Sequence, residues 1–154
     1  WGAYGNRPDD RADNTPQPTG PGASQFNTVH GIRVSNDGRV YVADRLNNRI
    51  QIFSLAGKFE REFFIERRTK LLGTAFSMAF SEDAAQRYLY VADAGNGRIH
   101  LFDRQTLQEV GAFGRIGRYA GQFVFLHNVA VDSHGNVYTS EVGGGRRVQK
   151  FVRR

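Results

Sequence analysis

Cysteine is absent from the 154 residues, so neither a disulfide framework nor a thiolate metal site is available, and the redox compartment stays open. No apolar run approaches the length of a membrane-crossing helix. Proline is scarce, and its four copies all fall within 6–25. A phosphate-binding loop is missing too: the glycine-rich "GGGRR" at 143–147 lacks the following Lys-Ser/Thr and lies between two strand-like runs rather than before a helix. Acidic residues are outnumbered 15 to 21 by Lys and Arg, and the net charge of +6 admits an anionic partner. What remains, 18 glycines and 12% aromatics in one domain's length, describes a β-rich chain.

The chain repeats itself. "GRVYVADRLNNRIQIFSLAGKF" at 38–59, "RYLYVADAGNGRIHLFDRQTLQEV" at 87–110 and "GNVYTSEVGGGRRVQKF" at 135–151 share one order of residues. Asp44 and Asp93, Arg49 and Arg98, and Phe53 and Phe102 are each 49 apart, so the first two copies align without a gap. A period in the forties built from short alternating runs and turns predicts a propeller blade. In the first copy "GIRV" at 31–34 passes through a Ser-Asn-Asp-Gly reversal into "RVYVAD" at 39–44, giving a hairpin. A polar link then leads to "RIQIF" at 49–53, and "SLAGKF" turns into a fourth strand near Lys58–Phe64. One blade cannot bury both its faces, so Ile, Val and Phe at matching positions are expected to stack blade on blade.

This divides the chain into an outer strand of a preceding blade at 1–5, a long Pro-, Gly- and Asp-rich connecting loop at 6–25, and blades at 26–66, 67–114 and 115–154, the last incomplete. Such a loop, on the face where one blade hands over to the next, is placed to shape or cover a site. Arg49, Arg98 and Arg147 follow Asp44, Asp93 and Glu141 across one interstrand link, which predicts acid–arginine pairing in each copy. Arg146, Arg147, Lys150, Arg153 and Arg154 form a terminal basic surplus. Asp37, Asp83, Asp103 and Asp132 lie at or near turns and need no catalytic explanation.

Histidine carries the chemical signal. His30 in "TVHGIRV" and His127 in "FLHNVAV" each follow a Gln-Phe pair by four residues and precede an innermost strand, with Phe76 at that place in the middle copy. Paired imidazoles at matching repeat positions could ligate a metal such as Zn²⁺, fill the channel mouth or bond a neighbouring loop. His100, alternating within "RIHLF", and His134, in a turn, are expected at the surface.

The ordered motif of Asp-Gly turn, Tyr-Val-Ala-Asp, Asn-Arg-Ile-Gln-x-Phe and Gly-Lys-Phe resembles the NHL repeat over about residues 26–154. That resemblance implies an all-β, NHL-type β-propeller, usually of about six four-stranded blades. About three blades and one strand fall short of a closed ring, so further blades, in the same polypeptide or in a second copy, are expected partners.

Within that fold, the histidines are similar to those of the peptidyl-α-hydroxyglycine α-amidating lyases, whose propeller holds a catalytic zinc with one His from each of three blades. The resemblance implies that His30 and His127 are two zinc ligands and that Arg45, in "VADRLNN", points a guanidinium at an anionic substrate group. The family's catalytic tyrosine has no counterpart: Gly95 and Gly143 occupy the corresponding links. A zinc-dependent, lyase-like enzyme and a non-catalytic protein-interaction module or accessory subunit thus stand as two readings. RNA binding by a basic face is disfavoured, because the arginines recur as structural repeat residues. Structural Ca²⁺ on channel carbonyls is conceivable, and likeness to bacterial NHL proteins points to a periplasmic or secreted setting.

Overall fold

The computed structural model describes residues 1–153, and Arg154 of the basic terminal cluster lies outside them. Eleven strands among the described residues form three antiparallel sheets. In the first, β1 (Val29–Val34), β2 (Arg39–Asp44), β3 (Arg49–Ser54) and β4 (Phe59–Phe64) pair in chain order. In the second, β5 (Ala75–Phe80), β6 (Tyr88–Asp93), β7 (Arg98–Asp103) and β8 (Glu109–Phe113) do the same. The third holds β9 (Leu126–Val131), β10 (Val137–Glu141) and β11 (Val148–Phe151). This is a partial β-propeller, and no helix among the described residues is long and apolar enough to cross a membrane.

Sheet stacking explains why strands that alternate in sequence are buried on both faces. Tyr41, Ala43, Ile50, Ile52 and Phe63 of the first sheet pack against Met78, Phe80, Leu89, Val91 and Phe102 of the second. Ala92 and Ile99 meet Phe123, Leu126, Val129 and Val137 across the next gap. The opposite side chains of β2 and β3, Val40, Val42 and Phe53, are covered by Phe26 and Phe59. Each fully buried side chain of this size contributes roughly 1.5–3 kcal/mol, so the stack is the principal source of stability.

Residues 1–5 are not the expected outer strand. Ala3–Gly5 is a 3-10 turn with Tyr4 at φ 57°, closed by the Gly5 N–H on the Gly2 carbonyl. The Trp1 ring lies 5.9 Å from Phe53, and the Tyr4 amide and hydroxyl bond Gln51 and Glu62. Two glycines in five residues let the chain reverse, and the aromatic side chains cap the first sheet instead of extending a ladder.

The acid–arginine pairs form in two copies of three. Arg49 Nε donates to Asp44 Oδ2 at 2.7 Å with both side chains at 0% exposure, and its Nη2 donates to the Ala23 and Gln25 carbonyls. Arg147 pairs with Glu141 at 2.5 Å and reaches the Arg118 and Gln122 carbonyls. Each arginine thereby ties its blade to the connection that precedes it. In the middle copy Arg98 instead faces solvent, 44% exposed and 4.0 Å from Glu66.

His100 takes its place, which corrects its expected surface position. The ring is wholly buried, with Nε2 3.2 Å from Asp93 Oδ2 and Nδ1 3.3 Å from Glu109 Oε1. Its alternation within the strand does not expose it, because the stack buries both faces of β7. The same repeat position, 49 residues away on either side, holds Gln51 and Gln149, which bond Glu62 and Glu141. His134 is exposed in its turn. Of the terminal basic residues, Arg146 donates to the Gly143 carbonyl and Lys150 lies over the Tyr138 ring.

Truncating Arg49 to Ala strands a buried carboxylate and should cost about 3–5 kcal/mol, whereas Arg98→Ala should cost about 0–1 kcal/mol. Urea unfolding of the two variants measures the contrast, and equal losses would refute it. Burial pulls the His100 pKa down, but Asp93 and Glu109 outweigh it and raise it above the ordinary value. Its stabilisation is therefore complete below the unfolded-state midpoint and fades as pH rises through the folded one. In unfolding experiments across pH, His100→Gln should remove that slope.

Candidate functional site

Each inner strand begins with a β-bulge, and the bulges define the site. In the first sheet Val29 opposes Asp44 and Gly31 opposes Ala43, which leaves His30 unpaired. In the second, Ala75 opposes Asp93 and Ser77 opposes Ala92, leaving Phe76; in the third, Leu126 opposes Glu141 and Asn128 opposes Ser140, leaving His127. A bulge re-aims the extra residue's side chain. The repeat position singled out in the sequence is thus a recurring backbone irregularity.

The three side chains come together. The His30 and His127 rings are 5.0 Å apart, and Phe76 lies 4.9 Å from His30 and 5.7 Å from His127. Phe125 closes the group, 5.9 Å from Phe76 and 6.1 Å from His127. His30 Nδ1 lies 2.6 Å from the Phe76 carbonyl oxygen. That oxygen can only accept, so Nδ1 carries the proton and, in the neutral ring, Nε2 presents a lone pair.

Arg45 completes the rim. The link between β2 and β3 places its Cζ 4.5 Å from the centre of the Phe76 ring, and its Nε donates to the Leu72 carbonyl at 2.8 Å. Gly73 makes this approach possible: at φ +70°, an added Cβ would sit 2.2 Å from the Arg45 carbonyl oxygen. The structure therefore brings His30, His127 and Arg45 into one cluster. Among the described residues no group of three or more His, Cys, Asp or Glu could hold a metal, so the cluster supplies two imidazole donors.

Sequence reasoning missed two contributors. Phe125 sits two residues before His127, and that alternation with the bulge residue was its available signal. Gly73 had only its glycine identity. His127 protonates less readily than an ordinary imidazole, because it is partly buried and faces His30 and the Arg45 cation.

Comparison with known proteins agrees with this architecture. The NHL repeat family matches residues 26–53. Human NHL repeat-containing protein 3 is 32% identical over 141 residues, covering 86% of this chain and 38% of that protein. The chain spans 38% of the length of the curated relatives it matches. Among solved structures, Kuenenia stuttgartiensis hydrazine synthase superposes with a TM-score of 0.57 at 16% identity, over 75% of this chain and 29% of the other. The RRP9 WD40 repeats superpose with 0.56 at 15% identity, over 81% and 38%. At such identities the likeness is one of fold.

In an NMR titration the His127 ring should show a midpoint below the ordinary value of about 6.5. Because the unfolded chain binds that proton more readily, the stability linked to His127 is complete above the ordinary midpoint. It is lost as pH falls through the folded one. An upward-shifted His127 would refute the arrangement.

Proposed function

We propose that this chain, part of an NHL-repeat β-propeller, is a non-catalytic interaction module whose polypeptide partner seats over the mouth of the inner strands. The observation that carries this reading is the half-exposed cluster of Arg45, His30, His127 and Phe125 packed around buried Phe76. Aromatic rings and guanidinium groups dominate binding hot spots because they bury much area with few rotors. Here the bulges and the Leu72 carbonyl hold them in place before a partner arrives, so little side-chain entropy is lost on binding.

A specific observation favours a second reading. A metal-ligating histidine usually donates its other ring N–H to a carbonyl or carboxylate, and His30 does so to Phe76. The depressed basicity of His127 keeps it neutral, as a ligand must be. His30 and His127 thus fit two nitrogen positions of a Zn²⁺ site whose remaining donors come from outside these residues. Bound zinc would supply Lewis acidity toward a substrate oxygen, and Arg45 would hold an anionic group beside it. This reading makes the protein a lyase-like enzyme of the amidating type acting in a periplasmic or secreted setting.

Elemental analysis of protein purified without chelators separates the two. The interaction reading expects no more zinc in the parent protein than in His30→Ala/His127→Ala. It also expects a partner cross-linked to the full-length protein to be weakened by about 2 kcal/mol or more in Arg45→Ala/Phe125→Ala. Near-stoichiometric zinc lost with the two histidines would establish the metal site instead.

A further inference from the structure

Antiparallel pairing gathers one set of segments at the end where β1, β5 and β9 begin. The β2–β3, β6–β7 and β10–β11 links lie there, as do the connections 65–74 and 114–125 between blades. The histidine cluster sits at this end, and the connections form its rim. Each connection carries two exposed cations, and the one acid of the first, Glu66, lies 4.0 Å from Arg98 instead. In the first connection Arg68 and Lys70 are exposed beside Leu71, which is 93% exposed and held at φ 62°, a region ordinary residues rarely occupy. In the second, Arg115 and Arg118 are exposed beside Ile116 and Tyr119, at 66% and 79%.

The four cations have no ion pair or side-chain hydrogen bond among the described residues. Three arginines at the opposite end are held: Arg39 pairs with Asp37 and Glu60, Arg104 with Asp37, and Arg61 donates to the Gln105 and Thr106 carbonyls. Lys58 and Arg153 are exposed singly at the opposite end, so what distinguishes the mouth is that its unpaired cations come two to a connection. The 6–25 loop over that face adds little to the balance, since Arg7 and Arg11 stand against Asp9, Asp10 and Asp13.

The same loop makes the face concave. Arg67 stacks 3.7 Å from the centre of Phe64 and donates to the Gln17, Thr19, Gly20 and Pro21 carbonyls, which fixes the loop against the first connection. Between them lies a cleft of about 410 Å³. Pro16, Pro18, Leu46 and Leu71 give it apolar walls, and Arg68 and Lys70 stand at its edge. A pocket that accepts an apolar side chain, bordered by unpaired cations, fits a chain that alternates apolar and acidic residues.

We infer that the partner seated on this face is an acidic polypeptide segment, one apolar side chain entering the cleft and its carboxylates meeting Arg68, Lys70, Arg115 and Arg118. The assignment rests on the proposed reading of the mouth as a polypeptide-binding face and names the chemistry of what it binds. Concavity favours a peptide over a flat bilayer. Tyr119 is the one aromatic side chain of the two connections that stands fully exposed, too few for a rim that stacks successive bases of a nucleic acid.

Fluorescence anisotropy of the full-length protein with a labelled glutamate-rich peptide carrying central leucines provides the test. Polyglutamate, a homopolymeric single-stranded RNA and anionic phospholipid vesicles serve as competitors. The leucine-bearing peptide should bind with an affinity that falls as salt rises. Arg68→Glu/Lys70→Glu should weaken it about tenfold or more, and Leu71→Ser severalfold, while near-ultraviolet circular dichroism stays unchanged. Lys58→Glu, in the β3–β4 turn at the opposite end, should leave this binding in place. Weakening by Arg45→Ala/Phe125→Ala with no response to Arg68→Glu/Lys70→Glu would keep the mouth as a binding face and overturn the acidic-segment assignment. Absent binding, or equal competition by polyglutamate, RNA or vesicles with no response to Leu71→Ser, would overturn the assignment.

Discussion

The fold depends on one buried ion pair repeated with variations. Asp44 ends β2, Arg49 begins β3, and the guanidinium reaches past its partner to carbonyls of the segment leading into the blade. An isolated buried charge would be prohibitively costly, so the pair stands only if the incoming segment also stands. The same logic at Glu141 and Arg147 anchors the connection from the second blade to the third. Stacking supplies most of the stability, but the stack is indifferent to how blades are joined. The arginines couple the two, making each junction part of the blade that follows it.

The middle blade shows what the motif tolerates. Its acid is intact, yet the arginine has turned outward and a histidine two residues on has taken over the carboxylate. A fully charged staple has become a titratable one. The substitution lies at a position occupied by glutamine in the flanking copies, so an amide-sized polar side chain already belonged there. An imidazole fills similar space and brings a proton equilibrium with it.

Much of this was legible in the chain. The spacing of 49 residues between Asp44 and Asp93 located the blades, and the shared place of His30 and His127 located the mouth. What could not be read was geometry that depends on neighbours. Alternation in "RIHLF" suggests a solvent face for His100 only if β7 has one, and stacked sheets leave none. Trp1 and Tyr4 resemble strand residues by type, but the glycines beside them allow a turn that places both rings on the first sheet. Arg98 obeys the repeat in sequence and departs from it in space, because a competing side chain two positions away reaches the same carboxylate.

The recurring bulge has a consequence for how such a protein diverges. A residue outside the ladder contributes no cross-strand pair, so its identity can change while the register of the sheet persists. Across three blades that position reads histidine, phenylalanine, histidine. The mouth of the inner strands is then a short alphabet written on a scaffold that does not read it, so one letter per blade can be respelled while the sheet keeps its register.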